Sequence, residues 1–392
     1  MNLDEIEVLD FEKVKNDVVK WRRYFHQHPE LSYEEINTSQ FVYDTLKSFG
    51  SIEVTRPTKT SVMGRLIGSA PGKVLAMRGD MDALPITEAT DLPFASENPG
   101  IMHACGHDGH TAMLLGAAKI LVQRKDKIKG EVRFIFQHAE ELFPGGAQEM
   151  VKAGVLDGVD KIIGLHLFTM IPTGKIVIPY GPFTANSDIF DIKIVGKGGH
   201  SSQPQETIDP IAIGAQVVNN IQHIIARNID PLDQAVVSIT EFNGGTAKNI
   251  IPDSIKIGGG VRSFNKEVRV NISKRIEEVV KGITAAHQAT YEYEYEFGYA
   301  SVFNNHEVTE EIEKLIEEKF DSNTIMETPP FMGGEDFSAF SQKVPGCFIG
   351  IGAAIDKEEL NFPHHHPRFD IDERSLEIGL KLLIEAPFKL LN

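Results

Sequence analysis

The sequence places cysteine, histidine and acidic residues in short motifs whose spacing suits metal binding. In the segment HACGHDGH, Cys105 and His107 stand two residues apart, just before a predicted helix. A thiolate and an imidazole at this spacing on a loop can both face one metal ion. A small buried cysteine beside a helix N-cap, Asp108, is the structural alternative. The chain has 14 histidines, and their density around this segment favours the metal site.

Two adjacent glutamates, Glu140 and Glu141, directly follow the apolar segment VRFIFQ. The C-terminal ends of buried parallel strands are where α/β folds place their sites. Because adjacent residues point apart, one glutamate can bind metal while the other transfers protons. A solvated acidic turn is the alternative interpretation of this motif.

Further histidines add to these motifs, and His166 follows a predicted strand at the same edge of the sheet. His166 closes the strand KIIGL, and three consecutive histidines occupy positions 364–366 in HHHPRF. Taken alone, His166 would be interpreted as a core or loop histidine, and residues 364–366 as surface histidines that bind metal by chance. Together the motifs supply enough ligands for two divalent cations and an additional glutamate as base. Two metal ions that share one water lower its pKa and polarise a carbonyl, which is the chemistry of amide hydrolysis.

Other motifs offer supporting groups. Asp80 and Asp82 follow the strand VLAMRG, and Asp82 can orient a ligating histidine through a hydrogen bond. His200 lies in the glycine-rich segment GKGGHSS. The segment GGTAKNIIPD and Arg262 contribute an amide and a guanidinium suited to a substrate carboxylate. The acidic residues of MGGEDF (332–337) are predicted to lie at a helix start, where the dipole favours them.

The elements that must position these groups alternate between helix and buried strand. Helical patterns end at His28-Pro29 and at Gly50, and a further helix is predicted over 111–124. The strands are predicted at 74–79, 132–137, 161–166 and 347–352. This alternation predicts an α/β fold with a largely parallel sheet.

The middle of the chain has a different pattern. Between residues 187 and 297 the elements follow the order β-α-β-β-α-β, which is ferredoxin-like. Buried-strand and helix patterns resume after about residue 298. We therefore predict a discontinuous catalytic domain, 1–184 and 299–392, interrupted by an inserted domain, 185–298.

Composition excludes several classes of protein. The 392 residues carry 39 Lys+Arg against 56 Asp+Glu, a net charge of −17, which argues against nucleic acid as a partner. No apolar run is long enough to span a membrane, and the charged N-terminus lacks a signal core. With only Cys105 and Cys347, the chain cannot form a disulfide framework. These features predict a cytoplasmic protein.

The motifs, in their order along the chain, resemble the M20 metallopeptidase family. WRRYFHQHPELSYEE, GDMDALP, MHACGHDGHTAMLLGAA, QHAEE, GLH, GKGGHSS, GGTAKNIIPD, GGEDF and HHPRFDID carry the resemblance, which covers essentially the whole chain. More narrowly, they are similar to its amidohydrolase branch, which includes hippurate hydrolase, N-acyl-amino-acid deacylases and auxin-conjugate hydrolases. The resemblance implies a two-metal catalytic domain and an inserted lid that mediates dimerisation.

Carried over position by position, the resemblance implies a role for each motif. Glu140 becomes the general base, and the H-x-P position makes His365 the C-terminal ligand among the three histidines. His200, from the neighbouring subunit's lid, would contact the scissile carbonyl oxygen. Asn249 and Arg262 would hold the substrate carboxylate. The implied metal ligands are Cys105, His107, Glu141, His166 and His365.

The chain departs from the family pattern at two positions. Much of the wider family has a histidine ligand where this chain has Asp80. The amidohydrolase branch uses the C-x-H ligands instead, so we do not assign Asp80 as a ligand. The branch often has proline before AEE, where this chain has His138.

The predicted function is hydrolysis of an N-acyl amino acid or a short peptide-like substrate. Glu140 takes a proton from the water shared by the two metals, and the metals and His200 stabilise the oxyanion. The cofactors are two divalent ions, Zn²⁺ or Mn²⁺, with Co²⁺ and Ni²⁺ also compatible. A di- or carboxypeptidase is the nearest alternative, and a non-catalytic metal-dependent binding protein is the remote one. The natural acyl group, and whether dimers pair into tetramers, stay open.

Overall fold

The structure, a computed structural model, describes residues 3–391, and side chains from residue 11 onward. The α-helices are α1 (Leu3–Gln27), α2 (Ile36–Ser48), α3 (His107–Gln123), α4 (Gly146–Lys152), α5 (Pro210–Asn228), α6 (Lys266–Ala286), α7 (His306–Lys319), α8 (Ser338–Ser341) and α9 (Arg374–Leu390). The strands are β1 (Glu53–Thr55), β2 (Val62–Ile67), β3 (Ala70–Asp80), β4 (Lys129–Gln137), β5 (Lys161–Pro172), β6 (Ile176–Val177), β7 (Gly181–Pro182), β8 (Asn186–Val195), β9 (Gly199–His200), β10 (Ala235–Gly244), β11 (Ile250–Ile251), β12 (Ser254–Ser263), β13 (Thr290–Tyr299), β14 (Phe303–Asn304) and β15 (Gly346–Ala354). In this part of the chain no helix has the length and apolar character to cross a membrane.

These elements form two compact units. The first unit consists of residues 1–183, 302–329 and 336–392, and the second of residues 184–301 and 330–335. Segments on both sides of the second unit therefore belong to the first. The function of the second unit as a lid that mediates dimerisation stays a prediction.

The first unit contains a seven-stranded sheet in the order β1-β2-β4-β3-β5-β15-β6. Its four central strands, β4, β3, β5 and β15, run parallel to one another, and the outer pairings are antiparallel. The central strands are buried along most of their length, as their unbroken apolar sequences predict. The predicted α/β class with a largely parallel sheet is confirmed.

Helix α3 begins four residues earlier than the sequence indicated, so His107 is its first residue and does not lie on a preceding loop. Gly106, at the N-cap, has a φ of +91°, a left-handed backbone that favours glycine. Within the first turn, the Asp108 carboxylate accepts the N–H of Gly109 at 2.9 Å. The helix start therefore fixes the direction in which the His107 ring leaves the backbone.

The second unit is built on a four-stranded antiparallel sheet in the order β10-β12-β8-β13. Helices α5 and α6 pack on this sheet, and each begins at a side-chain N-cap, Asp209 and Asn265 respectively. Along the chain the order is β8-α5-β10-β12-α6-β13, the ferredoxin-like arrangement. On β13, Tyr291, Tyr293 and Tyr295 pack against the apolar core of this unit.

A buried ion cluster joins α1 to the start of α3 and to the segment before α9. Arg22 is fully buried, and its guanidinium donates to Asp108 at 2.9 Å, Asp370 at 2.8 Å and Glu373 at 3.2 Å. Asp108 also binds Nδ1 of His26 at 2.8 Å. Because Arg22 and Asp108 are withdrawn from water, the Asp108 carboxylate depends on its partners for solvation.

We expect Arg22→Met to lower the free energy of unfolding by about 3–5 kcal/mol, since it leaves the buried Asp108 without its main counter-charge. Arg23 is the matched control, because it bonds the same Glu373 from a half-exposed position. Arg23→Met should cost less than about 1 kcal/mol. Urea unfolding, followed by the fluorescence of Trp21, the chain's single tryptophan, measures the free energy of unfolding of both variants. Equal losses in the two variants would contradict this account.

Candidate metal centre

The predicted ligands of the first unit lie on segments around the C-terminal ends of the parallel strands. Cys105 precedes α3, while Glu140 and Glu141 follow β4. The sequence placed His166 at a strand end, and this was wrong: β5 continues to Pro172, so His166 lies inside the strand opposite Gly350 of β15. The apolar residues after His166 extend the pairing with β15 beyond the histidine.

His107 presents one ring nitrogen to the centre. Its Nδ1 lies 2.9 Å from the backbone oxygen of Asp82, which can only accept, so Nδ1 carries the hydrogen. The Asp82 carboxylate lies 3.2 Å from the same nitrogen, as expected of a residue that orients a ligand. Nε2 is buried and has no hydrogen-bond partner. A buried nitrogen lone pair without a partner fits a metal ligand.

His166 and His364 are oriented by one shared backbone oxygen. Nδ1 of His166 and Nε2 of His364 each donate to the carbonyl of Leu167, both at 2.9 Å. This leaves Nε2 of His166 as the acceptor nitrogen, 3.5 Å from the Cys105 sulfur. A single peptide group therefore sets the tautomers of both rings.

Several groups of possible ligand atoms converge, and two of them share Cys105. One set consists of Cys105, His107 and Glu141, and the other of Cys105, His166 and His364. Within each set the ligand atoms lie within 4.8 Å of one another. Two three-residue sets that share one thiol match the sequence expectation of a site for two cations.

The three consecutive histidines occupy different environments. His364 joins the set of Cys105 and His166, whereas Nε2 of His365 lies 3.2 Å from the Glu141 carboxylate. His366 instead stacks on the ring of Phe362 and accepts a backbone N–H through Nδ1. The structure therefore brings His364 and His365 to the ligands and leaves His366 apart from them.

Electrostatics at the centre favour a bound positive charge. Burial lowers the pKa of His107, but the carboxylates of Asp80, Asp82 and Glu141 outweigh it and raise the pKa to about 10. Burial, together with the charges of Glu141 and Glu140, raises the pKa of the Cys105 thiol well above its ordinary value. A cation at this position compensates the carboxylates and favours the thiolate.

Asp80 and His110 form a support beneath the centre that the sequence analysis missed. Nε2 of His110 accepts the N–H of Leu167 at 2.9 Å, so Nδ1 donates to Asp80 at 2.6 Å. Arg78 donates to the other oxygen of the Asp80 carboxylate. Both nitrogens of His110 and both oxygens of Asp80 are thus engaged. Asp80, His107 and His110 also bring ligand atoms within 4.8 Å of one another, so leaving Asp80 out of the ligand set stays a prediction. The third histidine of HACGHDGH was the available signal.

The segment MGGEDF lies at a helix start, as predicted, because Asp336 directly precedes Phe337, the N-cap residue of α8. The Asp336 carboxylate also supports other segments, which the sequence analysis missed. It is buried and accepts from Arg78 at 3.0 Å, from Gln137 at 2.8 Å and from the N–H of Ala147 at 3.0 Å. Ala147 belongs to the first turn of α4, so the charge stabilises a different helix, which local sequence could not indicate.

The remaining predicted residues lie in the second unit, around two different sheets. His200 is exposed on β9 opposite Ile250, directly after Asn249. Half-buried Arg262 pairs with Ser187, at the far end of the β8–β12 ladder. The eight residue-to-residue steps of strand from Ser254 to Arg262 span about 26 Å. The structure thus brings His200 and Asn249 together, and places Arg262 apart from them.

The imidazole, thiol and carboxylate donors around one sheet edge form groups that could hold a metal ion. Residues 76–388 match the family described as Peptidase family M20/M25/M40. The chain belongs to this family, which confirms the resemblance seen in the sequence motifs.

Individual relatives agree with the family. An N-acyl-L-amino acid amidohydrolase of Geobacillus stearothermophilus is 59% identical over 304 residues, which cover 78% of this chain and 82% of that protein. Thermostable carboxypeptidase 1 of Saccharolobus solfataricus is 45% identical over 378 residues, 94% and 95% of the two chains. A dinuclear metal binding peptidase of the M20 family from Bacillus subtilis has a TM-score of 0.84, with 36% identity and coverage of 97% and 99%.

We expect Cys105→Ser to lower the metal content per chain more than His107→Ala does, because Cys105 belongs to both ligand sets. The matched control is Cys347→Ser, which changes a buried cysteine of β15 outside both sets. Mass spectrometry of metals after gel filtration gives the stoichiometry. Wild-type metal content in Cys105→Ser would show that the shared thiol is not a ligand.

Proposed function

We propose that this protein removes the acyl group from N-acyl amino acids or similar short peptide-like substrates. It is a metal-dependent hydrolase of C–N bonds. The observation that carries the proposal is the pair of ligand sets that share Cys105, with Glu140 directly beside the ligand Glu141. A protein that only retains metal has no need of a second buried carboxylate at this position, so Glu140 argues against a pure binding function.

Five residues would hold the metal: Cys105, His107, Glu141, His166 and His365. His364 is the alternative C-terminal ligand, because its ring belongs to the set of Cys105 and His166. Two divalent cations bound there supply Lewis acidity, which activates water and polarises the substrate carbonyl. The thiolate favours Zn²⁺, while the carboxylate and imidazoles also suit Mn²⁺, Co²⁺ and Ni²⁺.

Glu140 handles the protons of the reaction. Its carboxylate takes a proton from the attacking water and passes it to the nitrogen of the leaving amine. Asp82 supports this step from two sides, since it holds the ring of His107 and accepts the backbone N–H of Glu141 at 2.9 Å. The proposed base Glu140 and the proposed ligand Glu141 therefore lie on one turn, which the Asp82 carboxylate stabilises.

His200 acts on the carbonyl oxygen of the substrate, in the catalytic site of a partner subunit. The N–H of Ser202 donates to Nδ1 of His200 at 3.1 Å, so the neutral ring carries its hydrogen on Nε2. That N–H can donate to the developing oxyanion. Asn249 and Arg262 hold the substrate carboxylate. Within one unit, Arg262 is separated from His200 and Asn249. This separation favours a substrate site to which one chain contributes Arg262 and the other chain contributes His200 and Asn249.

The proposed enzyme is a homodimer, formed through the second unit acting as lid, and dimers can pair into tetramers. We place it in the cytoplasm, since the two cysteines are free thiols and fit a reducing compartment. A carboxypeptidase is the second candidate function. The 45% sequence identity to a protein named thermostable carboxypeptidase 1 favours this candidate.

We expect the metal-loaded protein to hydrolyse N-acetyl or N-benzoyl amino acids faster than dipeptides. A panel of these substrates, assayed with Zn²⁺, Mn²⁺, Co²⁺ and Ni²⁺, measures the preference. Glu140→Gln keeps the size of the side chain but removes its basicity, so turnover should fall at least ~10²-fold.

Metal content separates the two glutamates. Glu140→Gln should retain its metal, whereas Glu141→Gln should lose it. Faster cleavage of dipeptides would favour the carboxypeptidase. Loss of metal in Glu140→Gln with retention in Glu141→Gln would mean that the two roles are reversed.

The proposed role of His200 across the dimer predicts complementation. Mixing His200→Ala with Glu140→Gln should form heterodimers in which one site has both an intact Glu140 and an intact His200 from the partner. With random reassortment about half the dimers are mixed and half their sites are intact, so roughly a quarter of wild-type activity should return. If subunit exchange is verified by mass spectrometry and activity stays at the level of the parents, His200 does not act in trans.

A further inference from the structure

The backbone just before Glu140 adopts a conformation that needs external support. Strand β4 ends at Gln137, and Ala139 has a φ of +47°, in the left-handed region that residues with a side chain rarely adopt. Ala139 is completely buried, so its N–H cannot be satisfied by bulk water. This turn sets the direction in which Glu140 leaves the backbone.

A second buried carboxylate, distant in sequence, supplies that support. Oε1 of Glu35 accepts the N–H of Ala139 at 2.7 Å and the N–H of Tyr33 at 3.0 Å. Its Oε2 accepts the hydroxyl of Thr60 at 2.8 Å. Glu35 is itself fully buried, directly before α2. On the other side of the turn, the carbonyl of Ala139 accepts the N–H of Gly146 at 2.8 Å.

Glu140 is therefore flanked by two amides, each held by a buried carboxylate. Glu35 accepts the amide of Ala139, and Asp82 accepts the amide of Glu141. The two carboxylates differ in what else they touch. Asp82 also bonds His107, a proposed ligand, whereas the Glu35 carboxylate accepts from Tyr33, Thr60 and Ala139, none of which is a proposed ligand.

We propose that Glu35 is a positioning residue for Glu140: it holds the left-handed turn at Ala139 and so aims the catalytic carboxylate without contributing to metal binding. This inference rests on the proposed function, in which Glu140 is the base. Because a small displacement of a reacting group costs rate strongly, loss of this support should act on turnover.

The test compares two substitutions of Glu35 in the metal-loaded enzyme. Glu35→Ala removes the acceptor of the Ala139 amide, so kcat should fall at least ~10-fold, with KM and metal content near those of the wild type. Glu35→Gln keeps a carbonyl oxygen for both amides and an NH₂ group for the Thr60 hydroxyl, so it should retain most of kcat. Burial and the charge of Asp82 raise the pKa of Glu35 to about 7, so a neutral side chain is already compatible with this site.

Two further variants separate positioning from general stability. Thr60→Val removes one hydrogen bond of Glu35 and leaves the Ala139 contact in place, so kcat should stay unchanged. Ala139→Gly lowers the cost of the left-handed backbone and should restore part of kcat in the Glu35→Ala background. Amide exchange of a peptide spanning residues 138–141, measured with and without metal, should be faster in Glu35→Ala and unchanged in Glu35→Gln.

The possible results are distinct. Wild-type kcat in Glu35→Ala, an equal loss in Glu35→Gln, or a loss that simply follows metal content would each overturn the inference and leave the proposed function intact. If the wild-type enzyme cleaves no substrate of the panel, or Glu140→Gln is fully active, the proposed function itself fails. The amide exchange of residues 138–141 then still reports whether Glu35 holds the turn.

Discussion

The centre depends on the compensation of buried carboxylates. Asp80, Asp82 and Asp336 are almost completely withdrawn from solvent in the first unit. An ionised carboxylate in such a place is costly unless charges and hydrogen bonds replace its water. Arg78 meets this requirement for two of them, since its guanidinium bonds both Asp80 and Asp336 as well as Gln137.

Hydrogen bonds to carboxylates and backbone oxygens also fix the tautomers and ring orientations of the histidines. A ring nitrogen that donates to a carboxylate or a backbone oxygen leaves the other nitrogen as a defined acceptor. The carbonyl of Leu167 does this for His166 and His364, and the backbone of Asp82 does it for His107. His110, in turn, holds the amide of Leu167 from the other side. The ligands are thus oriented by groups that do not themselves need to touch a metal.

The motifs around the site act in pairs that are far apart in sequence. The segment of Ser32 and Glu35 supports the turn of Glu140 twice, because Ser32 bonds Asp82 and Glu35 bonds the Ala139 amide. The second unit shows the opposite case, since His200 lies on β9 of a two-stranded sheet, whereas Arg262 lies on β12 of the four-stranded sheet. The proximity of two motifs in the sequence therefore does not indicate whether their residues contact the same substrate molecule.

The sequence by itself determined the class of fold and the strands that form the parallel sheet, and it singled out Cys105, His107 and the two glutamates as candidate site residues. These follow from local signals: unbroken apolar runs, and ligand types at fixed spacing. Only the tertiary structure decided that β5 continues past His166, that His364 and His365 both approach the ligands, and that Glu35, Arg78, His110 and Asp336 support them. Each of these depends on a hydrogen bond or strand pairing between distant segments, and the partner of a buried polar group is set by packing and not by its neighbours in the chain.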